Sequence, residues 1–257
     1  MDERIALVRP PSSRMADGIV TYVDRIPADA ALAARQHERY VAALADSDWG
    51  IREVAPADDL PDSAFVEDTV VVLGDLAVLA RPGAPERRAE VAGTEEMLRS
   101  LGLRIARVEA PGTLDGGDVL QVGATIYVGL GGRTNEEGIS QLRRHAAGVG
   151  RTVVSVTLHG VLHLKSAVTA LPDGRIVGSD PSLVDDASLP ALQQMPEEGG
   201  SHVVPLGGRA VLMAESAPRS AELLDGWGFD VVTVDISEFE KLEGCVTCLS
   251  VLVDLVT

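Results

Sequence analysis

The chain holds two cysteines, and both fall in one short stretch, EGCVTCLSVLVD, residues 243–254. Cys245 and Cys248 are spaced C-x-x-C. That spacing suits a redox pair, half of a zinc site, or a single nucleophile beside a bystander thiol. A structural zinc site needs four ligands, and the chain has no second C-x-x-C. A thioredoxin-type pair needs a helix after its first cysteine, whereas β-branched strand formers follow the second one here. That leaves a single nucleophile beside a bystander thiol as the reading to pursue, with Cys248 at the start of the last strand. A thiol nucleophile needs a base and an acid that orients it. Three other stretches supply such groups, each just ahead of a hydrophobic run: Glu67 and Asp68 in FVEDTV, Asp115 and Asp118 in TLDGGDVL, and His163 and Lys165 in VLHLKSAV.

The elements that must position these groups repeat one rhythm. A strand, a tight turn and a second strand are followed by a helix and a third strand. DTVVVLGDLAVLA (68–80) reads as two strands, ERRAEVAGTEEMLRSLG (86–102) as a helix with a glycine stop, and LRIARVEA as a strand. DVLQVGATIYVG (118–129), NEEGISQLRRHAAG (135–148) and RTVVSVTL repeat the set. AVTALPDGRIVGS (167–179) is a hairpin with Pro-Asp-Gly at its turn. PSLVDDASLPALQQM then reads as a helix broken near Pro190, and HVVPL as a short strand. A fourth copy begins at GRAVLMAE. The first strands start near 69, 118, 167 and 209, some 40 to 50 residues apart, a period typical of propellers and arrays.

A fifth copy is split between the ends of the chain. CLSVLVD (248–254) supplies its first strand, RIALVRP (4–10) its second, DAALAARQHERYVAALAD (29–46) its helix, with apolar residues at 30, 33, 34, 41 and 44, and GIREVA its last strand. The pattern predicts a single α/β domain over residues 1–257, a closed ring of five strand–strand–helix–strand modules without exposed sheet edges. An ordinary doubly wound α/β sheet is the alternative, but its parallel strands need crossovers where hairpins recur here. In the ring, the starts of the first strands converge on the axis. A thiol, a histidine and several acids would meet there: a nucleophile, a base, an orienting acid and anionic ligands for a cation.

Composition narrows the partners. With 39 acidic and 22 basic residues the formal net charge is −17, a field that repels nucleic-acid phosphates and anionic membranes. The first residues carry charge at once, with no apolar run of signal-peptide length. No stretch approaches the roughly 20 apolar residues of a membrane span. Two cysteines in so long a chain form no disulfide framework. The expectation is a soluble, cytoplasmic protein, monomer or homodimer, with a small-molecule partner.

Taken together, LPDSAFVEDTVVV, RPGAPERR, TLDGGDVL, RTNEEG, VLHLKSAV and LEGCVTCLSVLV resemble the dimethylarginine dimethylaminohydrolases. These belong to the guanidino-group-modifying superfamily, with arginine deiminase and the amidinotransferases. The motifs run from about residue 60 to the C-terminus in the family's order; the first 60 residues match more loosely. The resemblance implies a five-bladed α/β propeller. It implies Cys248 as nucleophile, with Cys245 a bystander near the rim, His163 as acid and base, and Asp115 as the group that orients it. Glu67 and Asp68 would hold the guanidinium nitrogens, and Asp62 the substrate α-amino group. Arg87 and Arg133 would grip the carboxylate. Backbone carbonyls of Ile19 and Leu242 would help with the ammonium, Ile19 lying in a mobile lid, MADGIVTYVDR.

The implied reaction is hydrolysis of Nω-methylated arginine to citrulline through a covalent thiouronium, with no metal or organic cofactor. Arginine deiminase-like hydrolysis of another guanidino amino acid, and a propeller that only binds guanidino ligands, are the alternatives. A thiolate beside an imidazole would also take up zinc opportunistically. Each residue has a plainer reading too. His163 could be a hydrogen-bonded core histidine, Glu67 and Asp68 a solvated strand end, Arg87 and Arg133 surface charges, and Gly116 and Gly117 a simple turn. Convergence in the repeat together with the resemblance favours the functional reading for His163, Asp115, Asp68 and Cys248 above the rest.

Overall fold

The structure is a computed structural model that describes residues 3–255. Five three-stranded sheets account for the strands. In the split sheet, β1 (Glu3–Val8) is central, flanked by β2 (Gly50–Glu53) and by β15 (Val251–Leu255) from the far end of the chain. The next two sheets are β3 (Val70–Leu73), β4 (Leu76–Leu79) and β5 (Arg104–Arg107), then β6 (Val119–Val122), β7 (Thr125–Leu130) and β8 (Thr152–Thr157). The last two are β9 (Val168–Ala170), β10 (Ile176–Gly178) and β11 (Leu192–Gln194), then β12 (Val204–Gly207), β13 (Ala210–Ala214) and β14 (Asp230–Val234). In every sheet the inner strand pairs antiparallel with the middle one, and the outer strand pairs parallel with the middle one.

Ring closure is visible in the cores. Five apolar clusters are present, and each joins two neighbouring blades. One packs the split blade on the β3–β5 blade, through Ile5, Leu7 and Val253 against Val70, Ala77 and Leu79. Others join that blade to the β6–β8 blade, the β6–β8 blade to the β9–β11 blade, and the β9–β11 blade to the β12–β14 blade. The fifth returns from Leu206, Leu212 and Val234 to Ala6, Tyr40 and Leu44 of the split blade. A ring of blades shields its edges this way without a continuous barrel.

The crossover helices follow the expected positions: Ala30–Ala45, Val91–Ser100, Glu136–Ala147 and Pro218–Gly226. The first is capped by the Asp29 carboxylate, which accepts from the amides of Ala31 and Leu32. Its buried stripe is Ala33, Gln36, His37, Tyr40 and Leu44, a 3.6-residue period that includes two polar residues and leaves Ala34 outside. Tyr40 is fully buried, and its hydroxyl donates to the Val246 carbonyl and shares a hydrogen bond with Ser250 Oγ. The helix thereby fixes both ends of the turn that carries Cys248.

Two expectations fail in the third and fourth blades. Residues 181–195 form no helix. Pro181 and Pro190 deprive the segment of two amide donors, and only two short 3-10 turns form, Pro181–Leu183 and Asp186–Ser188, before β11. HVVPL is then not a closing strand but β12, the first strand of the fourth blade, and GRAVLMAE supplies its second, β13. The Gly207–Gly208 turn joins them, with φ of 118° and 58°, a left-handed turn that glycine adopts without strain. Without a crossover helix the third blade is short, so the even spacing misplaces the next start.

Candidate active site

Every inner strand follows a short helical turn, Glu198–Ser201 in the case of β12, and four of these turns carry or flank the expected site residues. Those four are Val66–Thr69, Gly116–Asp118, Leu164–Ala167 and Val246–Leu249. They pack on one another around the axis, the first against the second and the fourth, the second against the third. The chemistry sits on these turns. Cys248 lies within the last of them, three residues ahead of β15 rather than at the strand's start.

The Leu-Asp-Gly-Gly-Asp glycines are there for space. A Cβ on Gly116 would stand 2.0 Å from the Glu67 carbonyl oxygen, and one on Gly117 2.6 Å from His163 Nδ1 and 2.7 Å from Asp68 Oδ1. Neither has a positive φ, so close approach is the reason for both. Gly116→Ala should lower the unfolding free energy by about 1–3 kcal/mol, read by denaturant titration; no change would show that the two turns separate freely.

His163 is buried between two carboxylates. Its Nε2 lies 3.1 Å from Asp115 Oδ2 and its Nδ1 3.8 Å from Asp68 Oδ1. Burial alone would depress its pKa, but Asp68, Asp118 and Asp115 outweigh it and raise it to about 9. Asp115 is fixed by the Gly83 amide at 2.8 Å. Asp118, below it, accepts from Thr134 Oγ1 and the Leu164 amide; burial lifts its pKa to about 6 against the pull of His163. Asp68 accepts from the Gly117 amide at 2.9 Å and from Arg87 Nη1 at 2.5 Å. Burial would raise its pKa, but His163 and Arg87 prevail and hold it near 2.

One cavity gathers Ile19, Asp62, Asp68, Arg87, Arg133, Leu242, His163 and Cys248. Asp115 stands directly behind His163. Nine of the ten residues expected from the sequence thus meet here. Asp62 is buried, its carboxylate accepting from the Ile19 amide, and burial raises its pKa against the pull of Arg87. Arg133 Nη1 is buried without a hydrogen-bond partner, 4.0 Å from Asp115.

Glu67 is the exception. Its carboxylate turns away, pairing with Lys165 Nζ at 2.5 Å and accepting from Thr247 Oγ1 at 3.2 Å. It lines a second cavity of about 260 Å³ walled by the inner strands. Its carboxylate is engaged with Lys165 and Thr247 and does not line the cavity that holds His163 and Cys248. Burial raises its pKa to about 8 despite Lys165. Arg87 reaches the cavity but is largely committed elsewhere, to Asp68, to Glu90 at 2.7 Å, and to the carbonyls of Asp62 and Phe65. It serves first as the counterion of Asp68, and Arg133 is left as the cation with an uncommitted donor.

Cys245 is not at the rim. It is 3% exposed, caps the turn that carries Cys248, and its Sγ is 3.2 Å from that of Cys248. Cys248 and Thr247 both hydrogen-bond to it, favouring a thiolate at Cys245 over burial's opposition. The Cys248 thiol is pushed up by that same contact, by burial, and by Glu67 and Asp68.

Two groups escaped the sequence reading. Glu90, three residues after Arg87 on the same turn, completes the buried ion pair. Glu243, held at φ 60°, accepts from the amides of Thr21 and Tyr22 and so pins the Gly18–Ala28 segment beside the cavity. The i, i+3 spacing of Arg87 and Glu90 was a usable signal; nothing local marked Glu243. Among the described residues, the donor atoms of Asp68, Asp115 and His163 lie close enough to hold a metal ion.

The arginine deiminase family model matches residues 50–199. Over 252 residues the chain is 57% identical to an N(G),N(G)-dimethylarginine dimethylaminohydrolase of Streptomyces coelicolor, covering 98% of this chain and 97% of that one. The chain belongs to the arginine deiminase family. Within the family it groups with the dimethylarginine dimethylaminohydrolases. The Pseudomonas aeruginosa enzyme of that name is 34% identical over 95% of this chain and 97% of its own. A solved structure of that enzyme, a cysteine-to-serine variant complexed with citrulline, superposes with a TM-score of 0.89 over 98% of this chain and 99% of its own, at 32% identity. A dimethylarginine dimethylaminohydrolase adduct with S-methyl-L-thiocitrulline superposes at 0.90 over 98% of this chain and 100% of its own, at 31% identity. The fold of this family, a five-bladed propeller, is the one the repeat predicted.

Proposed function

We propose that the protein hydrolyses Nω-methylated L-arginine to citrulline and a methylamine, with Cys248 as nucleophile. The observation that carries the reading is the gathering, in one cavity, of a thiol, an imidazole held protonated by carboxylates, and an arginine with a free buried N–H. One catalytic domain does this work. The substrate's guanidinium lies against Asp68, its ammonium against Asp62 and the carbonyls of Ile19 and Leu242, and its carboxylate against Arg133, with Arg87 behind. The cation reverses the balance that keeps Cys248 protonated, because it offsets the Asp68 charge and favours the thiolate.

Cys248 Sγ attacks the guanidinium carbon and forms a C–S bond. His163 gives its proton to the methylated nitrogen, and the C–N bond breaks as dimethylamine or methylamine leaves. Neutral His163 then takes a proton from water as the water adds to the thiouronium carbon. The C–S bond breaks, Cys248 is regenerated as thiolate, and citrulline departs. Asp115 keeps the imidazole oriented in both halves.

The cavity encloses about 20 Å³, far less than the substrate needs, so the Ile19 segment must lift for entry and exit. The absence of a disulfide framework suits a reducing, cytoplasmic setting.

The test is turnover of asymmetric dimethylarginine, monomethylarginine, arginine and agmatine by the purified protein, with the ureido product measured. Citrulline from the methylated substrates is expected. Good turnover of another guanidine and none of these would overturn the reading. Arg133→Ala should raise KM for dimethylarginine by roughly ten- to a hundredfold, the value of a charged hydrogen bond. An unchanged KM would remove Arg133 from the carboxylate site.

A further inference from the structure

We propose that Cys245 and Cys248 form a reversible disulfide when the protein meets a peroxide, so that Cys245 is a redox-modification site paired with the catalytic thiol. The proposal rests in part on Cys248 being the nucleophile. Its ground is geometric. The two sulfurs are 3.2 Å apart, within a single turn whose backbone already bends them together. A disulfide needs about 2.05 Å between sulfurs, so a closure of roughly 1 Å suffices. The chain has no third cysteine to compete. The environment is asymmetric in a useful way. Cys248 faces the catalytic cavity, whereas Cys245 does not reach it. A small oxidant entering by the substrate's route meets Cys248 first.

The chemistry balances with hydrogen peroxide as oxidant. Cys248 passes its thiol proton to the Cys245 sulfur 3.2 Å away and attacks one peroxide oxygen, the O–O bond breaks, and Cys248 becomes a sulfenic acid as hydroxide leaves. Cys245 Sγ then attacks the Cys248 sulfur, the S–O bond breaks, and the second hydroxide leaves. With the two thiol protons, the sum is two thiols and one peroxide giving one disulfide and two waters. Two electrons pass from the sulfur pair to the peroxide. Hydrogen bonds from Thr247 and Cys248 keep the Cys245 sulfur ready as the attacking partner. The disulfide removes the nucleophile, but it also intercepts the sulfenic acid before oxidation to sulfinic acid, which thiols do not reverse.

The experiment exposes the full-length protein and its Cys245→Ser variant to hydrogen peroxide, then to dithiothreitol. The masses of the peptides spanning residues 245 and 248 and the citrulline-forming rate are followed. In the wild type the peptide should lose two hydrogens, activity should vanish, and dithiothreitol should restore both. The variant should lose activity equally, gain oxygens on Cys248, and recover no more than about a tenth. A wild-type peptide that gains oxygens without losing hydrogens would overturn the proposal, as would equal recovery of the two proteins. The peptide masses report on the sulfur pair whether or not dimethylarginine is turned over. A failure of the functional reading would show separately, as absence of activity before any oxidant is added.

Discussion

Replacing Cys248 with serine should lower the rate of citrulline formation from dimethylarginine by more than about a thousandfold, while Cys245→Ser keeps most of it. The two sulfurs touch, yet only one bounds the cavity that holds His163, Asp68 and Arg133. A serine hydroxyl at that position is a far weaker nucleophile at neutral pH than a thiolate. The substitution is nearly isosteric, so the turn should persist, anchored by Tyr40 at Val246 and Ser250. Rate constants for the two variants, with unfolding midpoints to confirm that both fold, decide the matter. Equal losses at the two positions would point to a mechanism that uses the pair together.

His163→Gln should lower kcat by about 10²–10⁴-fold, the range for losing a positioned proton donor. The same substitution carries a pH signature. His163 has a pKa near 9 in the folded protein, against about 6.5 for an unfolded histidine. A raised histidine pKa means that the charged form stabilises the fold. That contribution is complete below about pH 6.5 and is lost as pH rises through about 9. The wild type should therefore exceed the variant in unfolding free energy by the greatest margin near pH 6. Between there and pH 10 the margin should shrink by a few kcal/mol, on the order of 3. Denaturant titrations at several pH values measure it, and a flat difference would contradict a buried imidazolium between Asp68 and Asp115.

Much of this molecule could be read from its residues because the fold is a repeat. Hairpin turns at fixed intervals identified four blades, and the unmatched strands at the two ends identified the fifth. Closure then required the starts of the inner strands to meet, which is why Asp68, Asp115, His163 and Cys248 could be grouped before any coordinates. What failed did so for local reasons. The third blade replaces its helix by turns around Pro181 and Pro190, so periodicity misassigned β12 and β13.

Side-chain direction was the other hidden quantity. Glu67 and Asp68 are adjacent, and adjacent residues on a tight turn point apart; one faces Arg87 and His163, the other Lys165. No spacing rule distinguishes them. The place of Cys245 was misjudged for a related reason. Strand-forming residues after Cys248 suggested extended chain, where extended chain would separate residues three apart. The single turn Val246–Leu249 instead brings Cys245 and Cys248 into contact. The alternation of charges that holds the site together, Glu90 with Arg87, Arg87 with Asp68, Asp68 with His163, joins residues up to 95 positions apart only when the blades are assembled.

The central claim is covalent attack by Cys248 on the guanidinium carbon. The most direct measurement mixes the protein with dimethylarginine, quenches it in acid during turnover, and weighs the peptides of the residue 245–248 turn. The account predicts an added mass equal to dimethylarginine less dimethylamine, located on Cys248 and absent from Cys248→Ser. Steady citrulline production with unmodified Cys248 at every quench time, or the adduct located on Cys245, would contradict it.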